Sequence, residues 1–232
     1  MSLIADSSPA DQHDTGEGAA IQVASSLYRH HLFAARHMSD LACEIESEFG
    51  GTSDPDVIRK HRTYVIGSIL AAAAFLEASI NELYLEVQDH LENGGQGRRV
   101  LAVPAHFWSQ AAHPPILHKY QLALVVADAE PFDESRSPFR EADGLVALRD
   151  ALVHGRQEWR DSHGRRQTLE RRLRAKFPHN PWATEADAEF LDRLLSAGCS
   201  SWAVKVAEKF SNDFCHRMGI PARGVAPREG SP

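Results

Sequence analysis

Residues 69–84 read I-L-A-A-A-A-F-L-E-A-S-I-N-E-L-Y, from Ile69 to Tyr84. The run is apolar nearly all round, and a helix of that kind lies in a core or at a subunit contact. Asp54-Pro55 supplies an N-cap followed by proline at the first helical position. Asn93-Gly94-Gly95 supplies the stop, so the spacing predicts one helix from Pro55 to about Glu92, among the longest elements of the fold. Ala71 to Ala74 allow a partner helix to come close. Glu77 and Asn81 interrupt the apolar surface four residues apart, on one face. Either they meet a partner inside the fold, as a buried carboxylate requires, or that face reaches solvent.

On either side the pattern stays helical. Val23, Leu27, Phe33, Leu41, Ile45 and Phe49 recur at near-helical spacing from Ile21 until Gly50-Gly51 stop the run. Residues 93–112 read as irregular. Pro114 opens a third helix with I-L-H-K-Y-Q-L-A-L-V-V, and a loop covers Glu130 to Pro138. A fourth helix is expected from about Pro138 to His154, with Glu141 and Asp143 early in it, where the helix dipole favours acids. Pro, His and Asn mark a loop at 178–181, and a last helix is expected from Glu185 or Phe190 to Met218. Strand signals are few, and a brief hairpin around Gln157–Thr168 is the single candidate. The fold class expected is all-α, an antiparallel helical bundle with a long Ala-rich central helix and a C-terminal helical extension. The expected domain map is a polar tail over 1–20, one domain over 21–218 with a basic insert at 156–176, and a second tail over 219–232.

At 232 residues and 43% hydrophobic, the chain suits one domain with a real core. A net charge of −7 gives no overall nucleic-acid signature. Three cysteines without a C-x-x-C pair do not suit a disulfide framework, so a reducing, cytoplasmic setting is expected. The first residues lack the basic and apolar regions of a signal peptide. The apolar run Val65–Leu76 reads as too short for a bilayer, so no membrane association is expected. Thirteen histidines are present, but His30-His31, His113 and His118 lack ligand spacing, and neither a metal nor another cofactor is expected. H-E-x-x-H, G-x-x-x-x-G-K-[ST], G-x-G-x-x-G and G-x-S-x-G are all absent.

The chemistry concentrates in Arg149-Asp150-Ala151-Leu152-Val153-His154-Gly155. Gly155 offers a left-handed helix stop, which would leave His154 in the last turn, where a positive charge is favoured. His154 is the candidate proton carrier, since an imidazole can exchange protons. The plain alternative is that Arg149 and Asp150 are solvated and His154 caps the helix. At 100° per residue, Arg149 and His154 lie about 140° apart, while Asp150 and His154 share a face. One helix does not converge all three, so a second subunit is one way to complete a site. Directly after come Arg156, Arg160, Arg165, Arg166, Arg171, Arg172, Arg174 and Lys176, opposed only by Glu158, Asp161 and Glu170. This segment either holds phosphates or is a solvated, acid-paired face. S-H-G-R at 162–165 reads as a turn, and Gln167 to Phe177 as a short helix.

Taken together, R-D-A-L-V-H-G in an all-α setting resembles the HEPN superfamily, whose domains carry an R-x4–6-H motif. Arg149 matches the arginine, Asp150 the polar position after it, and His154 the histidine. The segment F-L-E-A-S-I-N-E-L-Y is also similar to a core helix of several HEPN families. The resemblance covers roughly residues 21–160, and the helix over 190–218 would be a subfamily extension. It implies a homodimer whose two motifs face one cleft and, in active members, a metal-independent endoribonuclease. There His154 would transfer a proton, Arg149 would stabilise the phosphorane, and Asp150 would orient either of them, with Glu77 and Asn81 in support. A toxin or defence effector is the biological setting that follows, with RNA as substrate and an antitoxin or other protein as partner. One position departs from the pattern: asparagine is common after the arginine, and Asp150 can neutralise Arg149. The resemblance therefore also admits a non-catalytic module that binds RNA, a nucleotide or a protein. An all-α dimeric interaction protein unrelated to nucleic acid is the third reading.

Overall fold

The computed structural model describes residues 26–92, 115–161, 163–183 and 190–223, with side chains described outside 88–92 and 155–167. The described residues are helical, without strands, and form an α-helical bundle. In chain order the helices are α1 (Leu27–Phe49), α2 (Pro55–Glu92), α3 (Ile116–Val126), α4 (Phe139–Asp161), α5 (His163–Leu173), α6 (Phe190–Leu194) and α7 (Ala197–Arg217). The tail expected at 1–20, residues 224–232 of the tail expected at 219–232, and the irregular stretch 93–112 lie outside the described residues, while Ile220 packs on the core and Arg223 pairs with Glu86.

α2 starts where its sequence signal places it. The Asp56 amide donates to Asp54 Oδ1 at 2.9 Å, so Asp54 satisfies one of the unpaired N–H groups of the first turn. α1 and α2 pack most extensively on one another, and α7 lies against both. Small side chains let them approach: Ala35, Ala42, Ala72, Ala203 and Ala207 are fully buried. Buried hydroxyls stitch the same seam, with Ser68 Oγ donating to the Ala35 carbonyl at 2.8 Å and the Ser39 and Ser200 hydroxyls 3.2 Å apart. α2 is long and apolar enough, by length and composition, to cross a membrane, which corrects the reading of its apolar run as too short. In the bundle, half of its most apolar window is buried against neighbouring helices.

A second layer closes over this trio. Tyr120 of α3 is fully buried, with its ring 4.9 Å from Phe210 and 4.7 Å from Phe214 of α7. Its hydroxyl donates to the Leu76 carbonyl of α2 at 2.7 Å, and burial pushes its pKa well up, so the donor stays protonated. Phe132 stacks on Phe210 at 4.8 Å, which anchors the loop ahead of α4.

Four local expectations are corrected. α4 does not stop at Gly155 but continues through it to Asp161. Glycine permits a left-handed stop without imposing one, and Gln157, Glu158 and Arg160 are good helix formers that offset its cost of about 1 kcal/mol. Where the hairpin is expected, residues 157–161 and 163–168 are helix, and His163, Gly164 and Arg165 of S-H-G-R are helical because α5 begins at His163. α5 then ends at Leu173 rather than Phe177, with Ala175 in the left-handed region at φ 61°. The last helix is two. Ser196 is extended, its hydroxyl accepts from the Cys199 amide and donates to the Pro178 carbonyl, and α7 starts afresh there. Gly198 fits that corner because a Cβ would stand 2.8 Å from Pro178 Cδ.

Candidate functional site

The Glu77–Asn81 face of α2 and the Arg149–Asp150 segment of α4 meet. Arg149 Nη2 donates to Glu77 Oε2 at 3.3 Å, and Arg149 Nη1 lies 3.1 Å from Asp150 Oδ1. The arginine side chain is 27% exposed and the two carboxylates 45% and 46%, so this is a rim of the fold and not its interior. Both terminal nitrogens of the guanidinium therefore already face carboxylates.

α3 contributes a residue that sequence reasoning missed. Lys119 is only 5% exposed, and its Nζ donates to Asn81 Oδ1 at 2.8 Å. Burial lowers its pKa, and the nearby Glu77 charge works against that shift. The available signal was a single lysine in the apolar run I-L-H-K-Y-Q-L-A-L-V-V. Glu77, Asn81, Lys119, Arg149 and Asp150 thus form one polar seam across α2, α3 and α4, with charges in balance. Tyr84 ties α3 to α2 beside it, donating to the Lys119 carbonyl at 2.9 Å.

His154 is exposed, one helical turn beyond Asp150 on the same face. It sits in mid-helix, because α4 runs on, so the expected carbonyl-end field does not act on it. Val153, 57% exposed, stands one turn from Arg149, and Leu85, 58% exposed, one turn from Asn81.

The basic segment divides. The side chains of Arg156, Arg160, Arg165 and Arg166 lie outside the described ones. Arg171 is exposed. Arg172 pairs with Asp143, and Lys176 Nζ donates to Glu141 Oε1 at 2.9 Å, so this part of the run is acid-paired across α4 and α5. Among the described residues no group of three or more His, Cys, Asp or Glu is placed to hold a metal ion. Cys199 and Cys215 are buried, and burial raises the pKa of both thiols, which does not suit a nucleophile. No family model, curated protein or solved structure matches the chain.

Proposed function

We propose that the chain is a HEPN-type, metal-independent endoribonuclease that acts as a cytoplasmic homodimer. The observation that carries this reading is the joining of Arg149 to the Glu77–Asn81 face, with exposed His154 one turn along from Asp150. A ribose 2′-hydroxyl attacks the adjacent phosphorus, His154 transfers the proton, and Arg149 meets the negative charge on the phosphorane. Asp150 and Glu77 are positioning residues that hold the guanidinium. A second copy supplies the opposing motif, and exposed Val153 and Leu85 suit burial beside it. The test is purified protein with a structured RNA in EDTA: products ending in 2′,3′-cyclic phosphate are expected, and intact RNA at high protein concentration contradicts the reading.

One observation favours the non-catalytic alternative. Two carboxylates on one guanidinium leave Arg149 little charge for a phosphate. A HEPN-like module of that kind binds RNA, a nucleotide or a partner protein without turnover. Its signature is RNA affinity that falls steeply with salt through the Arg156–Lys176 segment, while the RNA stays intact.

A further inference from the structure

The start of α4 holds a second constellation, separate from the Arg149 seam and independent of the nuclease reading. A cavity of about 370 Å³ opens between the loop before α4, its first two turns, the end of α5 and one face of α7. Cavities of this size suit small ligands. Arg136, Arg140, Arg172 and Lys176 line it, with Glu141 as the carboxylate among them. Arg140 is exposed and makes no side-chain hydrogen bond or ion pair among the described residues. Lys209 of α7 approaches the same rim, with Nζ 3.5 Å from Ser137 Oγ. The start of α4 adds its own positive field.

The opposite wall is apolar, made by Leu173 and Trp202. The Trp202 indole N–H is buried and has no acceptor among the described residues, an uncommon state for a donor that costs free energy when unpaired. Gly144 sits between the two walls. A Cβ there would make only ordinary contacts, 3.8 Å from Leu173 and 3.9 Å from Trp202, so close packing does not demand the glycine. Its missing side chain leaves the cavity open.

We propose that this cavity binds a small phosphate monoester carrying a planar ring, with the phosphate on Arg140 and Arg136 and the ring against Trp202 and Leu173. Arginine presents a planar fork matched to phosphate oxygens, and indole offers a flat apolar surface. Glu141 is one built-in competitor, beside Asp133, which pairs with Arg136 at 3.2 Å, and Asp143, which pairs with Arg172. Glu141 accepts from Lys176 Nζ at 2.9 Å and from Ser137 Oγ at 2.8 Å, and an entering phosphate takes over part of that lysine. α4 turns about 180° from Glu141 to Asp150, so the cavity and the Arg149 seam lie on opposite sides of one helix.

Titration calorimetry of the full chain tests this with four probes: 5′-AMP, phenyl phosphate, inorganic phosphate and adenosine. Saturable binding of the two ring-bearing esters is expected, with inorganic phosphate and adenosine each weaker by roughly tenfold or more, one lost set of contacts each. Arg140→Ala, an exposed change that spares the fold, should weaken the esters by roughly tenfold, and Gly144→Met should abolish binding by filling the cavity. Glu141→Gln should tighten binding by removing the competing charge, and Arg59→Ala, at a remote exposed arginine, should leave it unchanged. Absence of saturable binding by either ester overturns the proposal. So does ester binding that Arg140→Ala leaves untouched, or inorganic phosphate binding as tightly as the esters.

Discussion

The start and the middle of α4 treat arginine differently. Near its middle, Arg149 is spanned by Glu77 and Asp150 and shares its seam with Lys119 and Asn81, so charges balance and no cavity is needed. Near its start, Arg140 stands without a partner among the described residues at the mouth of an open cavity. A paired arginine is held in a fixed place, which under the proposed nuclease reading would suit a charge that develops during reaction. An unpaired one is ready for a charge that arrives already formed. On the proposed reading, one helix would carry a geometry for transition-state contact and another for ground-state binding.

The largest expected effect breaks the first half of that contrast. Arg149→Ala should lower RNA cleavage about 10²- to 10³-fold, the range for removing one donor to a developing oxyanion. Its two ion pairs are partly exposed, so urea unfolding should change by about 1 kcal/mol or less. A large loss of stability with full cleavage would make Arg149 a structural residue. Next in size is Asn81→Leu, which removes the acceptor from buried Lys119 and should destabilise the chain by about 1–3 kcal/mol in urea. No change there would mean that the amine finds solvent unaided.

Titration separates the two regions by pH window. The carboxyl of Glu141 is lowered by the hydrogen bond from Lys176, against an ordinary value of 4.5. Between its folded and unfolded values the unfolded chain holds more protons, so that contribution is present above 4.5 and is lost as the pH falls. Lys119 is lowered from 10.5 by burial, so its charged form opposes folding at neutral pH, and stability rises as the pH climbs towards 10.5. Difference curves against Glu141→Gln and Lys119→Met should place one effect in acid and the other in base. The smallest effect is expected from Asp150→Asn, which leaves Glu77 on Arg149. Stability should move by about 1 kcal/mol or less, and cleavage should persist. Loss of cleavage would make Asp150 more than a positioning residue.

Long-range features of the fold were legible where several signals coincided. Asp54-Pro55 marks the start of α2 because a cap, a fixed φ and an apolar run agree, while the stop expected at Asn93-Gly94-Gly95 lies outside the described residues. Glu77 and Asn81 pointed to polar contacts, because two polar residues on one face of an apolar helix either find partners or reach solvent. What those partners were was not legible. Lys119 reaches Asn81 across 38 residues of sequence, and no local pattern encodes that meeting. Gly155 misled because glycine only permits a stop, and the residues after it favour helix. Ser196 broke the last helix through bonds to Cys199 and Pro178, the second of them set by tertiary packing. The Arg140 cavity was hidden for the same reason. Its walls come from α4, α5 and α7, and of the described basic run after Gly155 only Arg172 and Lys176 reach it, beside Arg136 and Arg140 from an earlier stretch.

The most direct test sets wild-type protein beside His154→Ala, with one RNA in EDTA and product ends identified. Cyclic-phosphate products are expected from the wild type, with a loss of about 10²-fold or more in the variant, which should keep its fold because His154 is exposed. Equal cutting by both proteins, or no cutting by either, would contradict the nuclease reading.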